Sequence, residues 1–128
     1  MAENNDDLFF AIPADEMHLE DYEHISKNSG NRTFERTLIQ DEDTGMMVRL
    51  ITYPKGSVTP EHDHNCAHGM YVLKGTLHTA RGDFGPGSFV WFKEGCVAEH
   101  GGLDEDVTVV FITNKPFNIN YHNLPKKD

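Results

Sequence analysis

Four of the eight histidines in this chain fall in an ordered pattern: His62-Asp63-His64, then His68, then His100 beyond a strand-like run, a Gly-Pro-Gly turn and a second run. Alternate residues of an extended segment share a face, so His62 and His64 project together with Cα atoms roughly 6 to 7 Å apart. Two imidazoles at that separation can chelate one ion. His68 lies an even number of positions further on, after Asn65, Cys66 and Ala67, which can bend the chain back toward the pair. His100 needs a hairpin or barrel to bring it in. Neutral imidazole nitrogen suits Fe, Ni, Cu and Zn better than Mg or Ca. Surface histidines of an acidic protein would account for an isolated His-x-His, but account poorly for this set. The expected site is therefore a metal centre of His62, His64 and His100, with His68 as a further ligand or close neighbour, whose affinity weakens below about pH 6 as the imidazoles protonate.

Elements that could position such a site are strands. Residues 32–39 and 46–53 are strand-like runs around the loop chemistry of Asp41-Glu42-Asp43-Thr44-Gly45, which predicts a hairpin. A turn at Pro54-Lys55-Gly56-Ser57 leads into a short extended piece ending at His62 and His64. Runs at 68–73 and 76–80 flank Lys74-Gly75, and further runs follow at 88–92 and 107–113. Short strands and turns alternating in this way predict an all-β sandwich or barrel over residues 32–113. Residues 1–31 read as an N-terminal arm. Within it, Leu19, Tyr22 and Ile25 allow either a short amphipathic helix over 14–27 or an irregular segment. The apolar stretch 8–12 is expected to form an added strand on the barrel edge or across a homodimer, or to pack on its own barrel. Residues 114–128 are expected to be a surface-draped tail. His18, His24, His78 and His122 have no partner spacing and are expected to be structural or exposed.

A chain of 128 residues holds one domain. Its net charge of −10 repels nucleic acid and anionic lipid. No apolar run approaches the ~18 residues of a membrane span, and the first seven residues are acidic where a secretory signal would be basic, so a cytoplasmic protein is expected. Cys66 and Cys96 imply no disulfide framework and read as free thiols. Cys66 is expected to pack beside the histidines, with metal contact as the alternative.

The series Gly56, five residues, His62-x-His64, three residues, His68, six residues, Gly75 resembles the first motif of the cupin superfamily. His68 stands where that motif usually has Glu. The second motif is matched by Gly87, residues 88–92 and Gly95, but Lys93 replaces its proline and the histidine arrives two residues late, as His100. The resemblance spans about residues 45–113. It implies a double-sheet jelly-roll barrel with His62, His64 and His100 as metal ligands. It further implies His68 as a fourth ligand or as a hydrogen-bond partner to one. The stretch His-Gly-Met-Tyr-Val-Leu-Lys-Gly is similar to that of histidine-only cupin dioxygenases acting on β-diketones or hydroxyacetophenones.

The expected function is a dioxygenase using a divalent transition metal, Fe(II) first and Ni, Mn, Cu or Zn otherwise, on a small enolisable diketone or hydroxyketone. A non-catalytic small-molecule or sugar-binding module, or a metal-dependent isomerase or lyase, is the alternative. Neutral ligands leave the ion its full positive charge and so favour an anionic chelating substrate. Met70, Val72, Val90, Phe92, Val109 and Phe111 are candidate cavity walls. Glu99, or Glu61, could orient a ligand imidazole from behind.

Overall fold

The computed structural model describes Asn4–Asn5 and residues 8–122; the rest of the acidic N-terminus and the last six residues of the tail lie outside the described residues. Among the described residues, thirteen strands are formed: β1 (Asn4–Asn5), β2 (Phe10–Ala11), β3 (Glu23–Ile25), β4 (Arg32–Gln40), β5 (Met47–Tyr53), β6 (Val58–Asp63), β7 (His68–Lys74), β8 (Leu77–Thr79), β9 (Gly82–Phe84), β10 (Phe89–Phe92), β11 (Ala98–Gly101), β12 (Val107–Thr113) and β13 (Asn120–Tyr121). Two antiparallel sheets carry the fold, one in the order β10-β7-β12-β5-β4-β3 and the other in the order β13-β6-β11-β8-β9. The chain leaves the first sheet after β5, returns at β7 and leaves again for β8. That crossing is what makes a jelly roll.

Period-two burial shows why these segments are strands. In β12, Val107, Val109, Phe111 and Thr113 are buried and the residues between them are half-buried. Opposite them, Met47, Ile51 and Tyr53 of β5 face the same interior. Met70, Val72, Leu77, Phe92 and Ala98 complete the core with these apolar side chains. Fully burying a Val or Met side chain contributes about 1.5–3 kcal/mol. Of the expected cavity walls, Met70, Val72, Val109 and Phe92 are thus core residues, and Phe111 also lines the cavity described below.

The β4–β5 hairpin closes as its loop chemistry predicts. Asp41 Oδ1 accepts the backbone N–H of Asp43 at 2.8 Å, and Asp41 and Gly45 complete the turn through backbone bonds. At the β7–β8 turn, Gly75 has φ +77°, and a Cβ there would lie 2.1 Å from the Asp106 carbonyl oxygen. The glycine therefore meets both a backbone and a packing requirement.

Of the two readings for residues 14–27 the structure has the irregular one, and both termini add strands that the sequence reading did not place. Residues 14–27 form no amphipathic helix; two single 3-10 turns (Ala14–Glu16 and Leu19–Asp21) are followed by β3, which extends the first sheet beside β4. Phe10–Ala11 pairs with Asn4–Asn5 in a hairpin of its own, rather than on the edge of either main sheet. Leu8, Phe9 and Phe10 are left exposed. After β12 the chain crosses to the second sheet, where β13 pairs with β6. Among the described residues, no helix is long and apolar enough to cross a membrane.

Candidate metal centre

His62 sits on β6, His64 in the bend just after it, His100 on β11 and His68 at the start of β7. The first three therefore come from one sheet and His68 faces them from the other. Between the Ala98↔His62 and His100↔Thr59 pairs, two residues of β6, Pro60 and Glu61, oppose the single Glu99 of β11. This bulge lets Thr59 and His62, three positions apart, line the same cavity. One ring nitrogen each of His62, His64 and His100 lies within 4.8 Å of the other two. Ring centroids are 4.7 Å apart for His62 and His64, 4.9 Å for His62 and His100 and 4.5 Å for His64 and His68. The four imidazoles meet in the barrel interior, and the first three can hold a metal ion.

Tautomers of two rings are set from behind. His62 Nδ1 donates to the Pro60 carbonyl at 2.6 Å, and His64 Nδ1 donates to the carbonyl of Asn118. Each leaves Nε2 as a lone-pair donor aimed inward. Both Nε2 atoms, and both ring nitrogens of His68 and His100, are buried without a hydrogen-bond partner among the described residues. An unsatisfied buried polar group costs about 1–3 kcal/mol. A cluster of them on one point is the donor set a transition ion would satisfy, so the residues present fit such an ion.

The tail, expected only to drape the surface, braces the ligand-bearing segment. Asn118 Oδ1 accepts the N–H of Asn65 at 2.8 Å, and Asn114 Oδ1 accepts that of Ala67 at 2.9 Å. Asn120 Nδ2 donates to Asp63. His122, read from sequence as lacking a partner, bridges Asp63 at 2.8 Å and Glu61 at 3.1 Å. These carboxylates raise the His122 pKa, and the same contact holds Asp63 below its ordinary value. Glu61 thus serves His122 at the surface. Glu99, proposed to sit behind His100, lies instead with its carboxylate 3.8 Å from His78 Nε2; Asp83 takes the other nitrogen of His78. Cys66 is fully buried beside the cluster but is not among the grouped ligand atoms. Burial pushes its thiol pKa up.

Burial also dominates the electrostatics of the cluster. It lowers the His62 pKa to about 4 and that of His68 to about 3, and lowers those of His64 and His100. For His62, His68 and His100, neighbouring imidazoles push in the same direction. These rings stay neutral below their ordinary 6.5. The linkage has a definite sign. The unfolded chain takes up protons near 6.5 while the folded chain refuses them, so stability falls as pH drops from about 6.5 toward about 4. Urea melts of metal-free protein between about pH 7.5 and 4.5 should show this steady loss. A midpoint independent of pH would contradict neutral burial of the cluster.

A cavity of about 1090 Å³, lined from both sheets, opens onto His62, His64 and His100. Its other walls include Glu35, Arg49, Tyr53, Phe117 and Tyr121. The edge of the Tyr53 ring meets His100, with centroids 5.6 Å apart. Burial holds the phenol protonated, aided by nearby Glu35.

A two-sheet jelly roll with imidazoles gathered inside it defines a cupin. Its family is more particular: the chain belongs to the ChrR Cupin-like domain family, whose model matches residues 16–118. No curated protein matches. Solved structures do. A cupin-like protein from Thermotoga maritima has a TM-score of 0.69 and 19% identity over 78% of this chain and 83% of that one. The polyketide cyclase RemF from Streptomyces resistomycificus matches with a TM-score of 0.69 and 19% identity over 86% of each chain. A chain in the structure of Rhodobacter sphaeroides SigE in complex with the anti-sigma ChrR matches at a TM-score of 0.60 and 21% identity, over 76% of this chain and 52% of that one. At these identities the likeness establishes the fold.

Proposed function

We propose that the chain is a mononuclear metal enzyme in which His62, His64 and His100, with His68 as fourth ligand, hold one divalent transition ion, Fe(II) by preference. Its substrate class is a small enolisable β-diketone or hydroxyketone, and the reaction is oxygen-dependent carbon–carbon cleavage. The observation that carries this reading is the convergence of partnerless buried imidazole nitrogens on one wall of a substrate-sized cavity. Bound there, the ion would supply positive charge for two chelating oxygens and, if redox-active, electrons for O₂. The chain's own part is to keep the imidazoles neutral, to set two of their tautomers through Pro60 and Asn118, and to surround the substrate with a wall of mixed apolar and polar side chains. Tyr53, neutral beside His100, is placed to donate a hydrogen bond into the cavity. The likeness to a polyketide cyclase adds support for a polycarbonyl substrate.

Fe(II)-loaded protein in an oxygen electrode, supplied with acetylacetone or a hydroxyacetophenone, should consume one O₂ for each substrate cleaved. Substrate conversion without O₂ uptake would replace the dioxygenase by an isomerase or lyase. No conversion at all would favour the second reading, a small-molecule-binding module. That reading draws on the family match and on the ChrR relative, whose structure is a complex of an anti-sigma with SigE.

A further inference from the structure

Arg49 is a charged side chain on the inward face of β5, among the residues lining the cavity that holds the histidines. Its Nε donates to Thr37 Oγ1 at 3.2 Å and its Nη1 to Glu35 Oε1 at 3.2 Å. Glu35 is itself held by Thr33, whose hydroxyl donates to Oε2 at 2.6 Å. The guanidinium lies over the Phe117 ring at 5.4 Å, and that ring touches His64 with centroids 4.8 Å apart. Arg49 therefore stands no further from His64 than those two distances laid end to end. These contacts fix the plane of the guanidinium while using two of its five N–H groups, and no contact among the described residues engages Nη2.

We infer that Arg49 anchors an anionic oxygen group of the ligand, a carboxylate or its equivalent, at a point in the cavity apart from the chelating oxygens. This rests on the proposed function and narrows it: the substrate is a diketone or hydroxyketone bearing an acidic arm. Charge supports the narrowing. Glu35 pairs with Arg49, and neutral imidazoles would leave a bound ion its full charge, so a chelating enolate suits that ion and a carboxylate suits the guanidinium. A guanidinium held in plane by neighbours also loses little freedom on receiving a carboxylate. Glu35 accepts from Arg49 through one oxygen and so competes with the ligand for its charge.

The probe is acetylacetone carrying a propionate arm on its central carbon, compared with its methyl ester, titrated calorimetrically into zinc-loaded and metal-free full-length protein. The acid should bind the zinc-loaded wild type about tenfold or more tighter than the ester, the scale of a charge-assisted hydrogen bond. Arg49→Gln should bring that ratio close to one. Arg49→Lys keeps the charge without the planar fork and should retain part of the preference. Glu35→Gln removes the competing carboxylate and should strengthen acid binding, so the idea can fail in a second fold-preserving variant. A ratio near one in the wild type, no binding of either compound, a ratio unchanged in Arg49→Gln, or weaker acid binding in Glu35→Gln would each overturn the anchor. Equal acid affinity with and without zinc, with the dependence on Arg49 intact, would instead sink the metal-chelation reading and leave the anchor standing.

Discussion

Alanine at His62 or His64 should reduce metal uptake from one divalent ion per chain to a small fraction. Both Nε2 atoms are already aimed inward, because the Pro60 and Asn118 carbonyls occupy the opposite nitrogens. Losing a partner that merely orients a ligand typically costs 10- to 100-fold in metal affinity, so loss of the ligand itself should exceed about 100-fold. Elemental analysis after gel filtration, with a competing chelator to measure affinity, reads the effect. A thermal melt gives an independent check. An ion bound only to the folded state raises the midpoint of the wild type, and that increment should vanish in either variant. Full occupancy in the double substitution would remove these histidines from the metal centre.

The parts of this molecule legible in sequence were those where side-chain chemistry and backbone period coincide. β5 and β12 are rich in β-branched and apolar residues over seven positions, which marks them as strands, and in β12 buried residues alternate strictly with half-buried ones. The histidine cluster was legible because His62 and His64 announce a shared face and Gly56 and Gly75 frame them with turns. Less of the periphery could be read. β3 is an edge strand exposed at all three residues, so it has no alternation to detect. β11 is Ala-Glu-His-Gly, without the β-branched or aromatic residues that mark strands. β13 has two residues and exists because β6 offers it an edge.

Polar residues of the site misled for a related reason. Asn114, Asn118 and His122 look like surface chemistry until the tail is seen to return against residues 61–67. Glu35 and Arg49 sit on strands where a charge ordinarily signals the solvent face; here both point inward because the barrel is hollow at that end. Conversely, adjacency suggested Glu99 as a support for His100, but neighbours on a strand point to opposite faces, and Glu99 turns to His78. Sequence spacing thus identified the groups able to bind an ion, while the groups that orient them and select a ligand came from long-range packing.

His68 provides the most discriminating test of the ligand set. Its nitrogens fall outside the tightest trio, yet its ring centre is nearer to that of His64, at 4.5 Å, than the ring centre of His62 is, at 4.7 Å. It is 1% exposed, stacked on Phe92 at 4.7 Å, and both nitrogens lack hydrogen-bond partners among the described residues. An imidazole acting only to orient a ligand would hydrogen-bond to one. Ligation is the interaction that relieves a cost of about 1–3 kcal/mol for an unsatisfied buried group, and His68 faces the trio from the opposite sheet. His68→Ala should therefore lower metal affinity nearly as far as His64→Ala. His68→Glu should retain the metal, since carboxylate is also a ligand for such ions, while its added negative charge weakens binding of an anionic diketone. Cobalt substitution makes the coordination visible: the absorption bands should change in both variants if His68 is bound. Normal occupancy with unchanged cobalt spectra in His68→Ala would leave His62, His64 and His100 as the complete set of protein ligands.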